Sequence, residues 1–217
     1  MTVEGRHRSM RNILYLACSP RGASAHSGII AEVLLAALAA HHAGARVVRR
    51  DLAATPPGFV DAGFSAAILA PPRKEVPAAL VPSEVLIREL EAADALVIAT
   101  PMHNFTVPAV LKSWIDQVVR IHRTFRSTPA GKIGLLADRP VFVVVASGGW
   151  FSGPSPAGTP AQPDFLTPYL RAILGTIGLH DVSFITLEGV TRGPEMAASA
   201  YATARDRIGT LVAALDV

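Results

Sequence analysis

A single cysteine, Cys18, stands in the 217 residues, which excludes an intramolecular disulfide framework and suits a reducing, cytoplasmic setting. Long apolar runs are missing as well. The longest, such as Val141 to Ala146 and Ala95 to Ala99, stop far short of the ~20 residues that a membrane-spanning helix requires. Charge is sparse at 17%, and the net charge is only +3. The basic residues are scattered over Arg49-Arg50, Arg73-Lys74 and Arg120 to Arg126, without the dense, aromatic-interleaved stripe of a nucleic-acid surface. Neither nucleic acid nor membrane is therefore expected as a partner. No metal is expected either: the seven histidines show no H-E-x-x-H spacing and no cysteine cluster accompanies them. His41 and His42 read as a solvated helix end. The opening stretch Met1 to Met10 carries Arg6, His7 and Arg8 but precedes only a short apolar run, so it fails as a signal peptide. Residues 1–10 read as a disordered leader, with Met10 as an alternative start.

What is present is a globular composition, half of it hydrophobic, at a length that suits one domain over residues 11–217. Short apolar runs alternate with helical periodicity. Strands are expected at Asn12 to Ala17, Arg46 to Arg50, Asp94 to Thr100, Pro140 to Ala146 and Asp181 to Leu187. Helices are expected from Ser27 to His42, with Ile30, Val33, Leu34, Ala37 and Leu38 on one face, and from Pro82 to Ala92. Three more follow at Val107 to His122, Asp164 to Ile177 and Pro194 to Leu215, the last opened by a proline suited to a first helical turn. This alternation predicts an α/β fold with a doubly wound, five-stranded parallel sheet of order 2-1-3-4-5. A ligand then belongs at the carboxyl ends of strands one, three and four. Pro56 to Pro82 and Gly148 to Pro163 are too long for ordinary connections and read as functional covers or dimer contacts.

Three loops fall at those strand ends. Cys18-Ser19-Pro20-Arg21-Gly22-Ala23-Ser24-Ala25-His26-Ser27 places small hydroxyl residues before a helix, where side-chain oxygens and free amides suit either a phosphate or an ordinary N-cap. No G-x-x-x-x-G-K-[ST] or G-x-G-x-x-G occurs, and G-x-S-x-G fails at His26, which argues against nucleotidase, dinucleotide and hydrolase readings in turn. Thr100-Pro101-Met102-His103-Asn104-Phe105 offers backbone amides and the Asn104 amide along the edge of a flat heterocycle. Ala146-Ser147-Gly148-Gly149-Trp150-Phe151 pairs two glycines, which permit close backbone approach, with two aromatics that wall a planar substrate or fill the core.

With these words in view the chain resembles the FMN-dependent NADH-azoreductases, flavodoxin-like relatives of the quinone reductases, from about Arg11 to Leu215. Further matching words are Arg50-Asp51-Leu52-Ala53-Ala54, Thr124-Phe125-Arg126, Thr167-Pro168-Tyr169-Leu170, and Glu188-Gly189 with Gly193-Pro194-Glu195. The resemblance implies FMN as cofactor, NADH or NADPH as donor, and a quinone or azo acceptor reduced by two-electron, ping-pong transfer in a homodimer. It implies that Ser19, Ser24, Ala25 and His26 surround the FMN phosphate. Met102, His103, Asn104 and Phe105 would line one side of the isoalloxazine, and Ala146, Ser147, Gly148 and Gly149 the other. Phe125, Ser127, Trp150 and Phe151 would border the acceptor. No side chain need act as a catalytic acid or base, because the flavin carries the chemistry. His103, His26, Ser127 and Ser147 depart from the family pattern, and these departures bear on acceptor preference. A non-catalytic flavin carrier or sensor, or a serine hydrolase, are the alternative readings.

Overall fold

The computed structural model describes residues 10–70 and 75–216. In chain order these form β1 (Asn12–Ala17), α1 (His26–His41), β2 (Arg46–Asp51), α2 (Ala62–Leu69), α3 (Val81–Ala92) and β3 (Ala95–Pro101). There follow α4 (Ala109–Val118), β4 (Phe125–Thr128), β5 (Gly131–Gly134), β6 (Val141–Ala146), α5 (Thr167–Thr176), β7 (Val182–Leu187) and α6 (Pro194–Ala213). The main sheet runs β2-β1-β3-β6-β7, all parallel, which is the expected 2-1-3-4-5 order counted over the sheet strands alone. The leader expected over residues 1–10 lies outside the described residues except for Met10, which is buried.

Strand period two sorts the core into two layers. Leu14, Leu16, Ile98, Val143 and Val145 face α3, α4 and α5, whereas Ile13, Tyr15, Val97, Phe142 and Val144 face α1 and α6. The central strands β3 and β6 are buried on both faces, which is why they read as continuous apolar runs. Edge strand β2 is only partly covered, with no fully buried residue. Its Arg49 pairs with Glu32 on α1 and its Arg50 with Glu89 on α3, so charges guard the open edge.

Several boundaries differ from the sequence reading. The long connection before α3 holds a helix of its own, α2, which Asp61 caps by accepting a hydrogen bond from the Phe64 amide at 2.7 Å. Helix α4 stops at Val118 rather than His122, because the Thr124 hydroxyl donates to the Val118 carbonyl at 2.6 Å and His122 turns into left-handed backbone at φ 64°. Helix α5 starts at Thr167, since the Asp164 carboxylate accepts from the Leu166 and Thr167 amides at 2.9 Å. The β4–β5 hairpin was not expected. Its four-residue strands are too short for a periodic signal, and only Pro129 and Gly131 marked the turn.

Beside α3 sits a nearly buried ion cluster. Glu84 accepts from Arg120 at 2.6 Å and from Arg123 at 2.9 Å, and Arg123 reaches on to Glu91 at 2.5 Å. Burial pushes the Glu84 carboxyl up, but the hydrogen bonds from Arg123 and Arg120 outweigh it and hold the group at about 2. Cys18 is fully buried, and burial raises its thiol far above the usual range. It is a small core side chain.

Candidate functional site

The parallel strands deliver three loops to one edge of the sheet. Ser19 to His26 leaves β1, Met102 to Phe105 leaves β3, and Ala146 to Gly149 leaves β6. The loops are tied there by continued ladder bonds: the Cys18 amide donates to Ala99 at 2.9 Å and the Met102 amide to Ala146 at 2.8 Å.

In the first loop a short 3-10 turn, Gly22–Ser24, leads into α1. Ala25 stands at the N-cap and offers no side-chain bond, so the leading N–H groups of this 16-residue helix are left for another acceptor. Ser19 is buried, and its hydroxyl accepts from the Arg21 amide at 3.3 Å. Ser24 donates to the Arg21 carbonyl at 2.9 Å. The His26 ring shares a 2.7 Å hydrogen bond with Tyr201 on α6, and burial, then the nearby Arg21 charge, lower the pKa of its imidazole. Unpaired helix amides, hydroxyls and a basic side chain make the chemistry of a phosphate cradle. Beside it a cavity of ≈ 460 Å³ reaches under α1, lined by Tyr15, Ser27, Gly28 and Asp51 among others. Asp51 accepts from the Ala53 and Ala54 amides at 2.9 Å each, so the Arg50-Asp51-Leu52-Ala53-Ala54 word is a capped turn.

The second loop is strained. Asn104 and Phe105 both hold left-handed backbone, at φ 49° and 69°. Two successive non-glycine residues there cost about 1–3 kcal/mol each, and such outliers cluster at ligand sites. His103 and Thr106 close the turn with reciprocal 3.0 Å backbone bonds, leaving Phe105 42% exposed. A large aromatic side chain is thus held open to solvent at the end of a central strand.

In the third loop neither Gly148 nor Gly149 is left-handed, so their conformation does not demand glycine. Space does. A Cβ on Gly148 would lie 2.7 Å from Thr191 Oγ1, and one on Gly149 would fall within 3.0 Å of Gln162 Oε1. The close approach expected of these glycines is thus made, in the first instance, by neighbouring protein side chains. Gln162 Nε2 donates to Ser147 Oγ at 2.9 Å and lies 3.3 Å from Met102 Sδ. The Phe165 amide donates to the Phe105 carbonyl at 2.9 Å. The segment from Gln162 to Phe165 therefore straps the second loop to the third.

Trp150 and Phe151 are half-buried, and both belong to the third loop. The Trp150 ring stacks over Gly189, where a Cβ would lie 2.6 Å from the ring, and Glu188 accepts from the Phe151 and Ser152 amides at 3.2 Å. Phe125 and Ser127 are not brought to this edge. Phe125 pairs with Gly134, which packs on the Ile177-Gly178 turn before β7, so the hairpin is anchored at the amino end of the sheet. A six-residue strand spans roughly 20 Å, which separates them from the three loops within one chain. Phe125 is buried and Ser127 exposed. Gln162 and Tyr201 are the residues that sequence reasoning missed. Each reaches the site from an element distant in sequence, and neither belongs to a motif.

The fold defines a flavodoxin-type α/β protein whose loops after β1, β3 and β6 meet at the carboxyl edge of one parallel sheet. The family described as having a flavodoxin-like fold matches residues 11–212, and the chain belongs to it. The chain is 47% identical over 195 residues to FMN-dependent NADH:quinone oxidoreductase 2 of Cupriavidus pinatubonensis, covering 88% of this chain and 93% of that one. It is 49% identical over 181 residues to FMN-dependent NADH:quinone oxidoreductase 5 of Burkholderia lata, covering 83% and 86%. Among solved structures, an azoreductase from Bacillus anthracis superposes with a TM-score of 0.78 at 24% identity, covering 94% of this chain and 99% of that chain. An FMN-dependent NADH-azoreductase from the same species, in complex with FMN, gives 0.76 at 21% identity, covering 94% and 100%. At such identities these structures bear on the fold.

Proposed function

We propose that this protein is an FMN-dependent NADH:quinone oxidoreductase that also reduces azo compounds. The observation that carries the reading is the joining, at one sheet edge, of an uncapped α1 N-terminus with the strained Met102 to Phe105 turn and the glycine loop. The identity to the named quinone oxidoreductases supports it. Ser19, Ser24, Ala25 and His26 hold the phosphate, through hydroxyls and α1 amides. Met102, His103, Asn104 and Phe105 line the ring system on one side, and Ala146, Ser147, Gly148 and Gly149 on the other. When bound, FMN supplies two-electron transfer from NADH to the acceptor. The chain's own residues orient that ring, wall the crevice with Phe105 and Trp150, and shed water from it. The protein purified with its cofactor is expected to be yellow and to release FMN, not FAD, on denaturation. Chromatography of the released flavin checks this, and NADH-dependent reduction of a naphthoquinone tests the activity. A colourless preparation that turns over esters instead would return the hydrolase reading.

Donor and acceptor are proposed to alternate on one face of the crevice. Initial rates against NADH at several fixed quinone concentrations should then give parallel reciprocal lines, whereas intersecting lines would mean a ternary complex with two sites.

The working form is proposed to be a cytoplasmic two-fold homodimer. Phe125 and Ser127, at the far end of their own sheet, border the acceptor only if a second copy presents them. Phe59, Leu69 and Phe165 are large apolar side chains exposed by 82%, 82% and 61%. Light scattering should report twice the chain mass, and a monomer that turns over normally would remove the dimer. Among the described residues, no helix is long and apolar enough to cross a membrane.

A further inference from the structure

A second cavity, of ≈ 420 Å³, lies behind the glycine loop. Its walls include Gly149 and Trp150 of that loop, Pro156 and Gln162 of the following segment, and Arg192 and Met196 from the approach to α6. The volume falls within the range of small-molecule sites, roughly 300–1,000 Å³, and the mixture of an aromatic face, a thioether, prolines, three neutral polar side chains and one cation matches their usual lining. The wall is firmly built. Ser155 is buried, accepts from the Thr159 amide at 2.9 Å through its hydroxyl, and donates to the Thr159 carbonyl at 2.8 Å through its own amide.

Arg192, an exposed residue at the rim, is the only charged side chain lining this cavity among the described residues, and no carboxylate lines the cavity beside it. Glu188 is engaged by the Phe151 and Ser152 amides and lines an adjoining hollow that shares Trp150, Pro156 and Met196 with this cavity. A guanidinium at the rim of an aromatic-walled cavity selects a planar ligand bearing a carboxylate or sulfonate, through paired hydrogen bonds to the anion and stacking on Trp150. Because Gly149 and Trp150 belong both to this wall and to the loop that lines the flavin crevice, the two sites adjoin, with Gln162 standing between them.

We infer that this cavity is a subsite for the anionic end of the acceptor, and that Arg192 makes the enzyme favour carboxylated or sulfonated aromatic quinones over neutral ones. This rests on the quinone-reductase reading above. The test compares the FMN-loaded protein with its Arg192→Gln and Arg192→Glu variants on two acceptors of one skeleton, 2-methyl-1,4-naphthoquinone and the corresponding sulfonate. Arg192→Gln should raise the KM for the sulfonate about tenfold and Arg192→Glu more, with kcat and the KM for the neutral quinone within about twofold of the parent. Equilibrium binding of naphthalene-2-sulfonate, a non-reducible probe, is followed by calorimetry and by tryptophan fluorescence, and should weaken by the same factor. Equal KM shifts for both quinones, or unchanged binding of naphthalene-2-sulfonate by the variants, would overturn the subsite. Absence of NADH oxidation with either quinone would instead remove the underlying activity, while the probe titration would still decide the cavity.

Discussion

Replacing Gly149 with valine is expected to weaken FMN binding at least thirtyfold, about 2 kcal/mol, while leaving the sheet folded. Gly149 does not hold left-handed backbone, so the substitution carries no conformational penalty of that kind. The new Cβ instead displaces the Gln162 side chain, and with it the bonds to Ser147 Oγ and Met102 Sδ that strap the β3 and β6 loops together. Far-UV circular dichroism and FMN titration on the same sample separate loss of the site from loss of the fold. The pair Gly149→Ala and Gly149→Ala with Gln162→Ala adds a finer distinction. If crowding against Gln162 is the whole effect, the double variant should bind FMN better than the single one. A folded valine variant with undiminished affinity would remove this loop from the cofactor site.

Glu84→Ala is expected to cost about 3–5 kcal/mol of stability, because it leaves the buried Arg120 guanidinium without its counter-charge. For a chain of this size that lowers the melting temperature by roughly 10 °C. The same carboxyl makes stability depend on acid. Its folded-state pKa of about 2 lies below the ordinary 4.5, so its contribution is present above the unfolded value and is lost as pH falls from near 5 toward 2. About 3 kcal/mol is at stake over that interval. Urea unfolding at pH 7 and pH 3 measures about two-thirds of it, and Glu84→Gln should flatten the difference. A Glu84→Gln protein as acid-sensitive as the parent would show that other carboxylates carry the effect.

The central strands were legible because they are buried on both faces. Val141 to Ala146 and Ala95 to Ala99 had to be continuous apolar runs, and no helical pattern competes with them. The connecting helices α1 and α6 announced themselves through length and periodicity, and α6 through Pro194 at its start. Helix ends were less legible. Val118 ends α4 because a hydroxyl six residues later, Thr124, captures its carbonyl, and the local propensities near His122 say nothing of that. Helix α2 was hidden by the prolines around it, and the β4–β5 hairpin by its brevity.

By itself the sequence determined the layered α/β class, the strand order, and which three loops meet at the carboxyl edge of the sheet, because burial and right-handed crossover leave few other arrangements for such a pattern. Only the tertiary structure decided what those loops touch. It set Gln162 against Gly149, turned His26 toward Tyr201, bent Asn104 and Phe105 into left-handed backbone, and carried Phe125 and Ser127 to the opposite end of the sheet. Residues 13 to 175 positions apart meet there through packing and hydrogen-bond geometry, and no short-range pattern along the chain encodes such a meeting.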